Sequence, residues 1–465
     1  MAPAYGIAPG PRAWSAHAPR EEPPAQRRPG RASRLSDVHV HGRPSPDPAG
    51  SARLGALFPL QAVVLGALVP AFIFSIGIGA MLPVIAPHAV QQGAPLAVAG
   101  VIAAMLPVGQ ILADIPAGAL AARIGDRRAM LAAGGLAGLG LLAEAAAPTL
   151  VTLGLAVLLV GAANAVFHLA RHSYLTEITP ALHRARVLST LGGVHRIGQF
   201  VGPFLGAVVL HAGDLRLVFV LAAGTAAAAT VTVALARPDP SAETLDAPVA
   251  GDSRRRPRLA AVLGQHRRLL LTLGAPVLLV GAIRGARQQV IPLWGEHIGL
   301  DPATISIIFG IAGGIDMLLF YPAGKIMDRF GRLWIGVPAM ITLGVAMALV
   351  PLTHSTTQMV WVAVALGLGN GLGSGIMMTV ASDVAPSQGR PQFLGAWRLL
   401  QDLGIAAGPL IVASGAALGS LAAGIWVAAT MGPCAAGALQ RWLPQWSVHA
   451  NRTTRRRAGL SADQR

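Results

Sequence analysis

The stretch Pro322-Ala323-Gly324-Lys325-Ile326-Met327-Asp328-Arg329-Phe330-Gly331-Arg332 decides how this chain is read, because its skeleton occurs twice. Pro116-Ala117-Gly118, followed by Arg123 and Gly125, is the first copy, and 324 − 118 = 206. Working outward, the same offset of 206 carries Gly161 onto Gly367, Asn164 onto Asn370, Pro180 onto Pro386, Arg184 onto Arg390, Gly198 onto Gly404, and Gly202-Pro203 onto Gly408-Pro409. One register held over that distance points to a duplicated unit spanning much of each half.

The solvent of that unit follows from composition. Charged residues are 12% and hydrophobic residues 53% of the 465-residue chain, and the mean hydropathy is +0.58, whereas a soluble domain has about a quarter of its residues charged. Stretches such as 57–85 and 133–147 carry at most one charge, and a membrane-spanning helix needs about 20 mostly apolar residues. Twelve apolar segments are expected, at 58–86, 95–121, 128–147, 150–174, 188–211, 215–236, 269–294, 303–327, 333–352, 357–381, 393–415 and 419–440. The expected class is an all-α integral membrane protein of twelve transmembrane helices in two pseudo-symmetric six-helix bundles, 57–236 and 269–440.

Outside the bundles lie a Pro- and Arg-rich segment, 1–56, expected to be disordered because it has no hydrophobic periodicity; a polar linker, 237–268; and a basic tail, 441–465. With the N-terminus inside, the even-numbered connections carry Arg123, Arg127, Arg128, Arg184, Arg186, Arg254, Arg255, Arg256, Arg329 and Arg332, while the opposite loops hold little beyond Arg216. That is the positive-inside pattern, so both termini are expected to be cytoplasmic. A net charge of +16 explained in this way, with aromatic residues at only 5%, argues against a nucleic-acid partner. Cys434 is the only cysteine, which removes disulfides and cysteine zinc sites. Arginine, alanine, glycine and proline dominate, as in a GC-rich, bacterial coding sequence.

These residues resemble the major facilitator superfamily over about 57–440. The loop Gly324 to Arg332 is similar to the signature loop of that family, which implies its twelve-helix fold, a small-molecule substrate, alternating access and a plasma-membrane location. In that reading Gly118, Arg123, Gly125, Gly324, Asp328, Arg329, Gly331 and Arg332 form cytoplasmic gating loops. Gly324 is expected to allow close helix packing, Gly331 a tight turn, and Asp328 a contact with a helix N-terminus or an arginine; the plainer reading is that they stabilise a short loop. The first copy departs from the pattern, with Ala122 at the acid position and Asp126 nearby.

Gly198, Gly202, Pro203 and Gly206 resemble a motif of the antiporter and drug or metabolite exporter branch. Glycines four apart also make a flat packing face, and the echo at Gly404, Gly408 and Pro409 favours that simpler role. Another exporter signature is missing, since Val157 stands where an arginine is expected by resemblance.

Ionisable residues at membrane depth face a partner or a water-filled cavity, because burying one in lipid costs at least about 2.5 kcal/mol. Arg284, Arg287 and Gln288 fall at i, i+3 and i+4 on one helix face and, with Asn164 and Asn370, are the candidate substrate-cavity residues. Arg284 is alternatively a structural partner of Asp316 or Asp402. A charge network for proton coupling is expected from Asp316, Asp402, Arg398, Arg196, His195 and Asp114, with Asp316 and Asp402 as the acids whose salt bridges break during transport. Glu144 is a further acid in an apolar segment. His168 and His172 at i, i+4 have no acidic or cysteine companion, so no metal is expected. No nucleotide-binding loop is present, and no cofactor is expected.

The expected function is secondary transport rather than enzymatic chemistry: proton-coupled export of a small organic molecule by a monomer in the bilayer. The rivals are proton-linked uptake of a nutrient or organic anion and, more distantly, a membrane sensor.

Overall fold

The computed structural model describes residues 60–236, 264–386 and 389–459. The expected N-terminal segment 1–56, linker residues 237–263 with their arginine run, and the end of the C-terminal segment lie outside the described residues. Among those described, twelve helices are long and apolar enough to cross a membrane: Val64–Gln91, Leu96–Asp114, Asp126–Ala146, Leu150–Ile178, Arg186–Ala212, Arg216–Leu235, Arg267–His297, Pro302–Phe330, Arg332–Leu352, Thr356–Val384, Gln392–Ala417 and Leu421–Trp446. They are numbered below as the first to twelfth spans. The second helix continues beyond its apolar window to Ile124, and the twelfth runs six residues past the expected 440.

The offset of 206 reappears in the packing, contact by contact. A Cβ added at Gly198 would meet the carbonyl of Phe72, and one at Gly404 the carbonyl of Leu278. The carbonyl of Ile76 faces Gly202 and that of Ala282 faces Gly408; Leu106 faces Gly161 and Ala312 faces Gly367. Each partner pair is itself separated by 206 residues, for example 282 − 76 = 206. In both halves, therefore, the first helix packs backbone to backbone on the fifth and the second on the fourth. Such approach is open only to glycine, and lipid-embedded helices rely on it because lipid supplies no hydrophobic drive between them.

Large apolar side chains such as Leu139, Val151, Val208, Leu271, Leu318 and Trp361 point outward, as required where lipid is the solvent. Between the halves, the second span packs on the eleventh and the fifth on the eighth. These four helices touch at one end. Gly100 abuts Ala413, Gly310 abuts the ring of Phe204, and Gly314 that of Phe200. Toward the end that carries the described termini, positions Gly118, Gly192, Gly193, Gly324 and Gly395 have nothing within 4 Å of an added Cβ. The molecule is thus closed at one end and open at the other. The close packing expected at Gly324 is not found, because this glycine lies on the separated end.

Two spans are interrupted. The first is helical over Val69–Met81 and resumes at Ile85–Gln91. The tenth stops at Leu372 and resumes at Ile376 after Gly373-Ser374-Gly375, with Gly375 at φ +78°, a left-handed conformation that favours glycine. Breaking a spanning helix frees backbone groups, and these need partners inside the protein.

Candidate functional site

The break in the tenth span supplies two of the polar groups of the central site. Arg284 of the seventh span donates to the freed carbonyl of Gly373, and Arg196 of the fifth span donates to Ser374 Oγ at 2.5 Å. Arg284, expected on the substrate cavity with pairing to Asp316 or Asp402 as the alternative, does neither: it is not among the residues lining the cavity described below, and the broken helix offers a carbonyl that takes its guanidinium. Asp316 of the eighth span has other partners. Arg196 Nη1 donates to its Oδ1 at 3.4 Å, Arg287 Nη2 stands 3.8 Å from Oδ2, and Asn370 Nδ2 donates to Oδ2 at 2.5 Å.

Arg196 belongs to the first half and Asp316 and Ser374 to the second, so its two bonds bridge the halves. The Arg196 guanidinium also lies 4.5 Å from the centre of the Phe320 ring, an additional electrostatic attraction. Beside this group is a cavity of about 60 Å³ lined by Arg196, Arg287, Gln288, Gln199 and Asp316, with Leu82, Phe200, Phe309 and Met317 as its apolar walls. Three guanidinium groups thus gather at this site, those of Arg196 and Arg287 beside the Asp316 carboxylate and that of Arg284 on the Gly373 carbonyl. Such a site attracts anionic groups, and its low-dielectric surroundings strengthen the attraction.

A second cross-half contact lies on the opposite seam. Arg398 Nε and Asp402 Oδ2 of the eleventh span stand 3.4 Å apart at the expected i, i+4 spacing, and Asp114 of the second span is in hydrogen-bonding reach of Asp402. The register relates the two seams: Arg196 corresponds to Asp402, since 402 − 196 = 206, and Phe320 to Asp114, since 320 − 114 = 206. Equivalent places therefore hold a cation on an aromatic ring on one seam and two acids on the other.

Within the first half, His195 Nδ1 and Ser75 Oγ are 2.5 Å apart, and the His195 ring meets His168 edge-on with centroids 4.7 Å apart. Arg171, almost fully buried, bonds only His168 Nδ1, at 3.0 Å. Asn164 does not reach the cavity. It is buried with its Oδ1 unpartnered, as is the Oδ1 of its counterpart Asn370, but only Asn370 has an acid for its amide nitrogen to donate to, because the equivalent of Asp316 is Gln110 (316 − 110 = 206). Glu144 is also fully buried, with neither oxygen bonded.

The loop residues form their own network at the open end. Gly125 and Gly331 have φ of +84° and +106°, the turn conformation expected of Gly331. Asp328 is exposed and lies 3.4 Å from Arg332. The stronger partner of Arg332 is Asp383, at the end of the tenth span, which accepts from Nε at 3.0 Å and from Nη2 at 3.3 Å. Arg455 donates to the carbonyls of Asp328 and Arg329, and the ring of Phe330 lies under Arg329. In the first half Arg123 is exposed, while Arg127 bonds the carbonyls of Val233, Ala234 and Ala236, which are unsatisfied at a helix end. Ahead of this loop, Gly118 stands open beside Ala122. Asp126 has Ser173 of the fourth span as a polar neighbour.

Sequence reasoning passed over Ser374, Gly373, Phe320 and Asp383. The alternating run Gly367, Gly369, Gly371, Gly373, Gly375 was a usable signal for the helix break. Asp383 sits at a helix end with no pattern to mark it. Of the glycine motif, Gly198, Gly202 and Gly206 pack on the first span around Ile76 and Ala80, and Pro203 lies within an unbroken helix.

Comparison with known proteins adds the following. The sequence description of the Major Facilitator Superfamily matches residues 67–409. An uncharacterized MFS-type transporter, YdeG of Bacillus subtilis (strain 168), is 29% identical over 316 residues, which is 64% of this chain and 72% of that protein. Among solved structures, the nucleoside transporter NupG superposes with a TM-score of 0.65 at 14% identity, over 81% of this chain and 98% of that one. A bacterial homolog of the human lysosomal transporter Spinster, solved inward-facing and unoccupied, gives 0.63 at 16% identity, over 82% and 98%. At such identities the superpositions speak for the fold alone.

Proposed function

The chain belongs to the Major Facilitator Superfamily, and from that premise we propose that it moves a small organic molecule across the plasma membrane by alternating access coupled to protons. Secondary transport is the family's activity. The observation that carries the proposed coupling is Asp316, a carboxylate held across the two halves by Arg196 in a cavity between them. A bond of that kind must break when the halves rock to open the other end. Whatever neutralises Asp316 then favours the rearrangement, and a proton does so at the lowest structural cost.

Both termini are taken as cytoplasmic, which makes the open end the cytoplasmic one. Export is the direction expected from the resemblance of Gly198 to Gly206 to an exporter motif. Its packing, however, is shared by Gly404 and Gly408 in the other half, so the stripe itself carries no direction. Uptake is the second reading, favoured by the three arginines gathered at the site. Inside-out and right-side-out vesicles loaded with a substrate panel decide between them. Accumulation in inside-out vesicles driven by an acidic lumen, with protons leaving as substrate enters, supports export; accumulation in right-side-out vesicles driven by an inwardly directed proton gradient supports uptake. Flux of no compound in either orientation counts against transport.

A further inference from the structure

The central site holds a buried guanidinium donor that no acceptor among the described residues takes. Arg287 is 8% exposed and lines the cavity. Its Nε is buried without a hydrogen-bond partner, and its approach to Asp316, at 3.8 Å, is an ion pair too long to be a hydrogen bond. A guanidinium presents five donors in a planar fork suited to a carboxylate. Leaving such a fork buried and unbonded is costly, so its persistence here needs a reason.

Asp316 does not satisfy it: each of its oxygens already accepts one bond from another residue, and Oδ2 stays 3.8 Å from Arg287 Nη2. Oδ1 accepts from Arg196 and Oδ2 accepts from Asn370 at 2.5 Å. The cavity next to the fork, about 60 Å³, has room for a few waters or a head group of carboxylate size, and Leu82, Phe200, Phe309 and Met317 form its apolar side. Gln199 and Gln288 supply neutral polar atoms to the same space.

We propose that the substrate is an organic carboxylate whose head group takes the Arg287 fork and displaces Asp316 from Arg196. In the empty transporter Asp316 acts as an internal stand-in for that carboxylate. This deepens the transport reading and rests on it for its purpose. Once substrate is bound, two carboxylates compete for the arginines of one dry site, and the closest pairs of acids hold a shared proton rather than two charges. Asp316 accepts that proton from water in the open cavity, keeping Asn370 as its neighbour, and carboxylate and carboxylic acid then sit side by side. The proton and the anion bind together, so they cross the membrane in the same direction, which under an inwardly directed proton gradient is uptake, the second of the two directions above.

The test is direct binding to the full-length protein in lipid nanodiscs, with benzoate and hexanoate as probes and benzamide and hexanamide as neutral isosteres. The acids are expected to raise the melting temperature and the amides to leave it unchanged. Arg287→Gln should abolish the response, and Arg287→Lys should not restore it, because an ammonium lacks the fork. The decisive variant is Asp316→Asn. It removes the internal competitor and resembles the protonated acid, so acid binding should tighten by about tenfold or more and lose its pH dependence. A purely structural Asp316 would instead give weaker binding in Asp316→Asn. That outcome overturns the proposal, as does equal binding of acids and amides, or binding of neither acid to wild type or Asp316→Asn. If Arg287→Gln does not fold, the Asp316→Asn comparison decides alone. Binding is measured without flux: acids that bind but are never transported sink the transport reading and leave this site assignment standing.

Discussion

Separating Arg196 from Asp316 should shift the balance between the two ends of the molecule, and the size of that shift can be worked from the geometry. The pair is 3.4 Å apart, for which Coulomb's law gives about 5 kcal/mol at an effective dielectric of about 20. That is an upper bound, because desolvation opposes it and the Arg196 side chain is 29% exposed. A coupling energy of roughly 1–3 kcal/mol is the reasonable expectation for a contacting pair, equivalent to roughly a 5- to 150-fold change in an equilibrium. The two residues lie in different halves, so this energy stabilises the arrangement closed at the far end. The perturbation is a double-mutant cycle of Arg196→Gln and Asp316→Asn. The assay is the distance between spin labels at Ala122→Cys and Gly395→Cys in a Cys434→Ser background. Both positions are exposed at the open end, and Gly395 has space for a side chain. Each single variant should lower the population with separated labels, and the double variant should cost less than the sum of the two. Label distances that do not move in either single variant, or strictly additive effects, would refute the claim that this bond holds the halves.

Three other outcomes follow from the packing and the loops. An alanine at Gly202 or at Gly408 drives its Cβ into the facing carbonyl of Ile76 or Ala282, so each should cost about 1–3 kcal/mol of stability, read as similar losses of melting temperature; a loss of transport without loss of stability at Gly202 alone would restore a directional role to the motif. Arg332→Gln leaves the mostly buried Asp383 with only the Ser447 hydroxyl as donor and should destabilise the protein by about 2–4 kcal/mol, with Arg332→Lys rescuing only in part because it cannot bond in the bidentate manner; unfolding by denaturant in nanodiscs measures this. Asp301 caps the eighth span by accepting from the Thr304 amide at 2.9 Å, and Asp301→Ala should cost about 1 kcal/mol. The Thr304 hydrogen bonds hold the Asp301 carboxyl below its usual range, so the cap contributes fully above the ordinary carboxylate pKa and fades as pH falls through the lowered one; a difference between wild type and Asp301→Ala that grows on acidification would contradict it.

The fold was legible because its signals are local and repeated. Apolar length marks a span wherever lipid is the solvent, and glycines such as Gly161, Gly202, Gly367 and Gly408 mark where backbones touch. Their common register of 206 residues reports one packing scheme used twice. The site was legible only in part. Spacing along one helix identified the Arg284–Arg287–Gln288 face and the Arg398–Asp402 pair, since i, i+3 and i, i+4 neighbours follow from helix geometry. It could not say which helix that face meets. Arg284 found a carbonyl that exists only because the tenth span breaks at Gly373, and Arg196 found both Asp316 and Ser374 across the halves. Asn164 and Asn370 occupy equivalent positions yet differ in role, because their neighbours Gln110 and Asp316 differ. Repeat symmetry predicts where a residue sits, and broken symmetry decides what it bonds.

The most direct test of the account is net flux of a labelled organic acid into proteoliposomes, with and without an imposed proton gradient, for wild type and Asp316→Asn. The account predicts that the gradient accelerates net flux of the acid by wild type. It also predicts that Asp316→Asn still exchanges labelled for unlabelled acid but no longer responds to the gradient. Gradient-driven flux undiminished in Asp316→Asn, or wild-type flux indifferent to the gradient, would contradict it.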